Sequence, residues 1–122
     1  MRRLAAELRS VGYTVTLASN CDEENGDQYA RKHYLDDFDE CFMSYDMGLL
    51  KPSEEFFQRV LEILGAQAYE CCFIDDHRTN VSVASHLGFR SLQVDSGLDG
   101  SGRTETVREY LRNTHIYSGE RE

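Results

Sequence analysis

SEEFFQRVLEILGAQAYECCFIDD, residues 53–76, holds a helix, a strand and an acidic pair in succession, and its reading decides the fold. Phe56, Phe57, Val60, Leu61 and Leu64 recur at spacings of three and four, so they line one face of a helix. Ser53 stands where an N-cap wants a short oxygen-bearing side chain, and Gly65 stands just past the end, where a left-handed residue closes the last turn. Cys71-Cys72-Phe73-Ile74 is then a short apolar run of strand length, and Asp75-Asp76 follows it at once.

The same unit recurs on either side. Upstream, Leu4, Ala5, Leu8 and Val11 share a helical face, Gly12 follows, and Tyr13-Thr14-Val15-Thr16-Leu17-Ala18 is rich in β-branched residues. Downstream, Val81, Ala84 and Leu87 form a third stripe, closed by Gly88 and followed by Phe89-Arg90-Ser91-Leu92-Gln93-Val94. Glu40-Cys41-Phe42-Met43-Ser44 reads as a further strand. Residues 95–102 read as a loop, Thr104 to Arg112 as a last helix with Val107, Tyr110 and Leu111 inward, and Ser118 to Glu122 as a frayed end. Helices alternating with short apolar strands predict an α/β fold: a three-layer, Rossmann-like parallel sheet covered on both faces. Nothing repeats beyond this rhythm and no linker divides the chain, so residues 1–122 read as a single domain or part of one.

Composition narrows the partners. With 22 acidic against 13 basic residues the formal net charge is −9, a surface that repels nucleic-acid backbones and anionic lipid but leaves room for a small phosphorylated substrate. An apolar fraction of 40% suits a globular protein. No apolar run approaches the roughly 20 residues of a membrane span. Glu7 and Arg9 interrupt the basic start Met1-Arg2-Arg3, which argues against a signal peptide. Cys21, Cys41, Cys71 and Cys72 show no CxxC spacing, and adjacent Cys71 and Cys72 would point to opposite faces of a strand. Buried free thiols in a reducing cytoplasm are the expectation, ahead of a zinc site or disulfides.

Ligands of open parallel sheets sit beyond the carboxyl ends of strands. The residues there are Ser19-Asn20, Ser44 through Pro52, and Asp75-Asp76. Hydroxyl and amide donors, one lysine and two carboxylates suit a phosphate beside a hard divalent cation. Each also has a plainer reading. Ser19-Asn20 could be a turn, Lys51-Pro52-Ser53 a helix start, and Asp75-Asp76 a cap for the next helix. His77 is more simply a solvated loop histidine than a substrate contact, and His33, His86 and His115 have no assignable role. The acidic run Asp36-Asp37-Phe38-Asp39-Glu40 reads as a solvated loop with Phe38 turned inward.

Taken in order, these motifs resemble a family. Haloacid dehalogenase (HAD) superfamily hydrolases carry a strand ending in Asp-x-Asp, a strand ending in Ser or Thr, a lysine ahead of a helix, and an acidic pair after another strand. Leu17-Ala18-Ser19-Asn20, Met47-Gly48-Leu49-Leu50-Lys51-Pro52 and Cys72-Phe73-Ile74-Asp75-Asp76 resemble the last three. Phe38-Asp39, Ser53-Glu54-Glu55-Phe56-Phe57, and Asn80-Val81 with Ala84 and Gly88 resemble the flanks seen in the phosphatase-like subfamily with an inserted helical cap. The likeness runs from about residue 4 to residue 95.

The resemblance implies Mg²⁺-dependent hydrolysis of a small phosphorylated metabolite through an aspartyl-phosphate. Ser19 and Asn20 would bind phosphoryl oxygens, Lys51 would neutralise charge shared by nucleophile and phosphate, and Asp76 would bind Mg²⁺ directly, with Asp75 beside or just behind it. The family's nucleophile is the first Asp of Asp-x-Asp, and the one such triplet here, Asp37-Phe38-Asp39, does not end a strand. The resemblance therefore implies a partial HAD-like core, incomplete on its N-terminal side and without cap or nucleophile. Mg²⁺ would bind weakly and the chain alone would be inactive. Three readings stay open: a fragment of a hydrolase, a non-catalytic binding or regulatory module, and a subunit completing its site with another chain. The family's missing strand is central, so self-association or a partner strand is expected at the gap. A flavodoxin-like or receiver-like domain is the runner-up fold.

Overall fold

The computed structural model describes residues 2–33, 35–95, 97 and 100–113. Its chain forms two compact units, one over Arg2–Ala66 and one from Gln67 onward.

In the first unit, α1 (Arg2–Ser10) buries Leu4 and Ala5. The helix stops one residue before Val11, which is 58% exposed in the following turn and does not join the apolar face expected of it. Strand β1 (Thr16–Ser19) runs parallel to β2 (Glu40–Met43), with Thr16 opposite Glu40 and Ser19 opposite Met43. The expected strand over 13–18 is thus shorter and ends one residue later, so that Ser19 is its last residue. Between the two strands lies α2 (Glu23–Arg31), which no apolar stripe announced. Its N-cap Asp22 accepts the Asn25 N–H at 2.8 Å, and its one buried residue is Gly26. A Cβ at that glycine would come within 2.7 Å of the Tyr45 ring, so close approach replaces apolar side chains here. The short helix α3 (Ser44–Met47) follows β2 directly, ending the expected strand at Met43 instead of Ser44.

Helix α4 (Glu54–Leu64) forms as the sequence predicts. Ser53 Oγ accepts the Glu55 N–H at 3.2 Å, Phe56, Phe57 and Val60 are buried, and the two phenyl rings meet edge to face at 5.7 Å. Gly12, Gly65 and Gly88, each read as a helix end, all take positive φ, at 102°, 64° and 103°.

The acidic run before β2 is more than a solvated loop. Asp39 accepts from Arg9 Nε at 3.0 Å and from the Val15 N–H at 2.8 Å, and its own N–H donates to the Val15 carbonyl at 2.7 Å. One carboxylate thereby ties the end of α1 and the approach to β1 onto the start of β2. Asp37-Phe38-Asp39 precedes the strand and does not end one.

The second unit is a β–α–β crossover. A 3₁₀ turn (Ala68–Glu70) leads into β3 (Cys72–Asp75), which runs parallel to β4 (Arg90–Gln93), Cys72 opposite Arg90 and Asp75 opposite Gln93. Helix α5 (Arg78–His86) packs on both strands and buries Ala84. The Phe73 and Phe89 rings lie 6.4 Å apart, edge to face. Helix α6 (Gly100–Asn113) buries Val107 and Leu111 as expected, but it starts ahead of Thr104, so Gly100 to Gly102 are helical and not loop. Ser96, Leu98, Asp99 and the tail Ser118 to Glu122 lie outside the described residues.

The parallel α/β class holds in both units. Every residue of β1 and β3 is half-buried, as fits the small sheets of an incomplete Rossmann-like core. Both sheets have two strands, so each strand keeps one edge without a ladder partner among the described residues. The four cysteines are free, as predicted, but half-buried and not buried.

Candidate active site

The first unit gathers three of the predicted residues. Ser19 closes β1, and among the described residues its hydroxyl has no hydrogen-bond partner. The next residue, Asn20, turns its amide onto the backbone of Lys51: Oδ1 accepts the Lys51 N–H at 3.0 Å, and Nδ2 donates to the Lys51 carbonyl at 2.9 Å. Lys51 Nζ returns to donate to the Ala18 carbonyl at 2.9 Å. A lysine 31 residues away in sequence is thus fastened beside the end of β1. The turn reading of Ser19-Asn20 misses this long-range clasp, whereas the helix-start reading of the next segment is met by Ser53, not by Lys51.

Ser44 completes the arrangement. Only 7% exposed, its hydroxyl donates to the Cys21 carbonyl and accepts the Cys21 N–H, both at 3.0 Å. Sequence reading placed Ser44 at the end of a strand and within the stretch facing ligand, but gave it no role. A serine closing an apolar run was the available signal, and its partner 23 residues upstream could not be read from spacing.

In the second unit, Asp75 closes β3 and Asp76 follows it. The Asp75 side chain is 8% exposed and that of Asp76 is 42% exposed. Asp75 Oδ1 accepts the His77 N–H at 3.0 Å and Oδ2 accepts Asn80 Nδ2 at 3.1 Å, whereas α5 takes His77, not Asp75 or Asp76, as its N-cap. Asp76 Oδ1 meets His77 Nδ1 at 3.0 Å. His77 is largely solvent-exposed, as predicted, yet paired. Among the described residues, Asp75, Asp76 and His77 are the group able to hold a metal ion, one ligand atom from each lying within 4.8 Å of the others. Two carboxylates suit a hard cation such as Mg²⁺, with Asp76 the more accessible ligand and Asp75 already engaged by two donors.

His33 pairs with Asp36 at 3.0 Å in an exposed turn, and His115 lies outside the described residues. Burial pushes the Cys72 thiol up to about 11, although a hydrogen bond from Tyr110 and the charge of Arg90 act the other way. Cys71 precedes β3, so the expected pair of opposite strand faces does not arise, and its sulfur turns toward the Gln67 carbonyl at 3.6 Å. No described helix is long and apolar enough to cross a membrane.

Residues 1–88 match the family model of haloacid dehalogenase-like hydrolases. The chain is 33% identical over 99 residues to a sesquiterpene phosphatase of Aspergillus oryzae, covering 80% of this chain and 50% of that protein. It is 32% identical over 66 residues to a D-ribitol-5-phosphate phosphatase of Bacteroides thetaiotaomicron, covering 53% of this chain and 32% of the relative. Among solved structures, a predicted HAD-like hydrolase from Porphyromonas gingivalis superposes with a TM-score of 0.80 at 28% identity, over 91% of this chain and 56% of that one. A HAD family enzyme from Bacteroides thetaiotaomicron in complex with magnesium and inorganic phosphate gives 0.73 at 30% identity, over 81% and 53%. The chain belongs to the haloacid dehalogenase-like hydrolases. It spans about half the length, or less, of these relatives.

Proposed function

We propose that the chain is a partial HAD-type core domain, built for Mg²⁺-dependent hydrolysis of a small phosphorylated metabolite in the cytoplasm. Ser19 donates its hydroxyl to a phosphoryl oxygen, and Lys51 neutralises the charge that builds up there. Asn20, assigned above to substrate, holds the Lys51 backbone with its side chain, which leaves its main chain for the ligand. Asp76 takes Mg²⁺, with Asp75 beside it, since two carboxylates suit a hard cation. Nucleic acid is not the substrate, given a net charge of −9. The reading gains support from relatives that are phosphatases and from a solved neighbour holding magnesium and phosphate.

One observation carries the proposal. Asn20 and Lys51, selected from sequence with Ser19 as the phosphate-handling residues, are joined by hydrogen bonds at the carboxyl end of β1, where Ser19 is the last strand residue. Because these 122 residues hold no Asp-x-Asp at the end of a strand among the described residues, they bind and neutralise but do not supply the attacking carboxylate. Titration of the ¹⁵N-labelled chain with inorganic phosphate tests the binding. Shifts centred on residues 19–21 and 51, abolished in Lys51→Met, are expected. Shifts confined to other surfaces would refute the assignment.

A further inference from the structure

Ser44 and Asn80 are the polar residues buried as a whole among those described, each 7% exposed, and each is bound at or beside candidate site residues. Asn80 holds Asp75 at 3.1 Å. Ser44 holds Cys21 by both backbone groups, N–H and carbonyl, at 3.0 Å each. Burying a hydroxyl is unfavourable unless both its donor and its acceptor capacities are met, and here one neighbouring residue meets both.

The secondary structure does not require this bond. The β1–β2 register is already set by the ladder from Thr16–Glu40 to Ser19–Met43, and Ser44 opens a helix of four residues that has no side-chain cap. What the bond does fix is the first residue beyond Ser19-Asn20. From Asn20 two hydrogen bonds reach Lys51, and from Lys51 one returns to Ala18. Lys51 therefore holds Ala18 and Asn20, the two residues that flank Ser19, and Ser44 holds Cys21 just beyond them.

We infer that Ser44 is a positioning residue for phosphate: it touches no ligand, and through Cys21 it sets where Ser19 and Asn20 stand relative to Lys51. This deepens the proposed phosphate reading and rests on it. Removing the hydroxyl leaves the N–H and carbonyl of Cys21 without their partner, so the loop gains alternative conformations and loses preorganisation.

The full 122-residue chain and its Ser44→Ala and Ser44→Thr variants would be titrated with inorganic phosphate by ¹⁵N spectroscopy, with amide hydrogen exchange read in parallel. Ser44→Ala should weaken phosphate binding by about fivefold or more, the scale of one buried hydrogen bond. It should also speed exchange of the Cys21 amide, while amides of β3 and α5 keep theirs. Ser44→Thr, which retains the hydroxyl, should restore most of the affinity and so separates positioning from general loss of stability. Unchanged phosphate affinity in Ser44→Ala, with faster Cys21 exchange, would reduce Ser44 to a structural staple and overturn the inference alone. Equal loss in the Ala and Thr variants would also overturn it. Absence of phosphate binding at residues 19–21 in the parent chain would instead sink the functional reading beneath it.

Discussion

The Asn20 side-chain amide binds both backbone groups of Lys51, accepting its N–H at 3.0 Å and donating to its carbonyl at 2.9 Å. A side-chain amide carries its acceptor and its donor on separate atoms, so it can engage both at once. Replacing Asn20 by Ala removes two solvent-exposed bonds, so the expected loss of stability is about 1 kcal/mol. Asn20→Asp keeps the acceptor alone and should fall between. Amide exchange at Lys51 checks this: protection should drop in the order Asn, Asp, Ala, and equal protection in all three would remove the clasp from the account.

Magnesium should bind at Asp75-Asp76 no better than about millimolar, because two adjacent carboxylates leave most of an octahedral shell to water. Asp75 already accepts from the His77 N–H and from Asn80, which leaves Asp76 as the principal ligand. Asp76→Asn should abolish the Mg²⁺-induced shifts at residues 75–77, whereas Asn80→Ala should weaken them severalfold by loosening Asp75. Micromolar affinity in the parent chain would mean that further ligands exist.

Cys72 gives a pH-dependent readout that is independent of the site. Its thiol is pushed from the ordinary 9.0 to about 11, chiefly by burial. Since the thiolate is the nucleophile, alkylation of Cys72 should stay slow at neutral pH and keep accelerating past pH 9 toward about 11. The same shift withdraws stability as pH rises from 9.0 to about 11, because the unfolded thiol ionises first. Mass-spectrometric mapping of labelled cysteines against pH measures it. A Cys72 rate that levels off by pH 9 would show that the thiol is not held in an apolar setting.

The isolated chain should be marginally stable and self-associate, or depend on a partner strand. Both sheets are two-stranded and their β1 and β3 residues are only half-buried, so unpaired edges offer backbone groups to other chains. Size-exclusion with light scattering and thermal melting tests this. A clean monomer with a sharp, cooperative melt would contradict it.

Much of this was legible in sequence, and the limits have physical causes. The helix over residues 54–64 was readable because its stripe, its Ser53 cap and its Gly65 terminus are local signals. The strand ends carrying Ser19 and Asp75 were located to within a residue, since apolar runs stop where chains leave a sheet. Helix α2 was not readable: its buried position is a glycine against Tyr45, a contact with no apolar periodicity. The clasps of Asn20 on Lys51, Ser44 on Cys21 and Asp39 on Arg9 join residues 23 or more apart in sequence, beyond what local spacing can express. For Asp39 the consequence was a misreading, since a run of like charges looks solvated until its partners are known.

The most direct test of the central claim is the hydrolysis of an aryl phosphate by the 122-residue chain at saturating Mg²⁺. The account has these residues position phosphate and neutralise charge without supplying the carboxylate that attacks, so in-line displacement has no starting group. It therefore predicts phosphate binding at Ser19 and Lys51 with no turnover above the buffer rate. Turnover above that rate, lost on Asp76→Asn, would contradict it and reveal a nucleophile elsewhere in the chain.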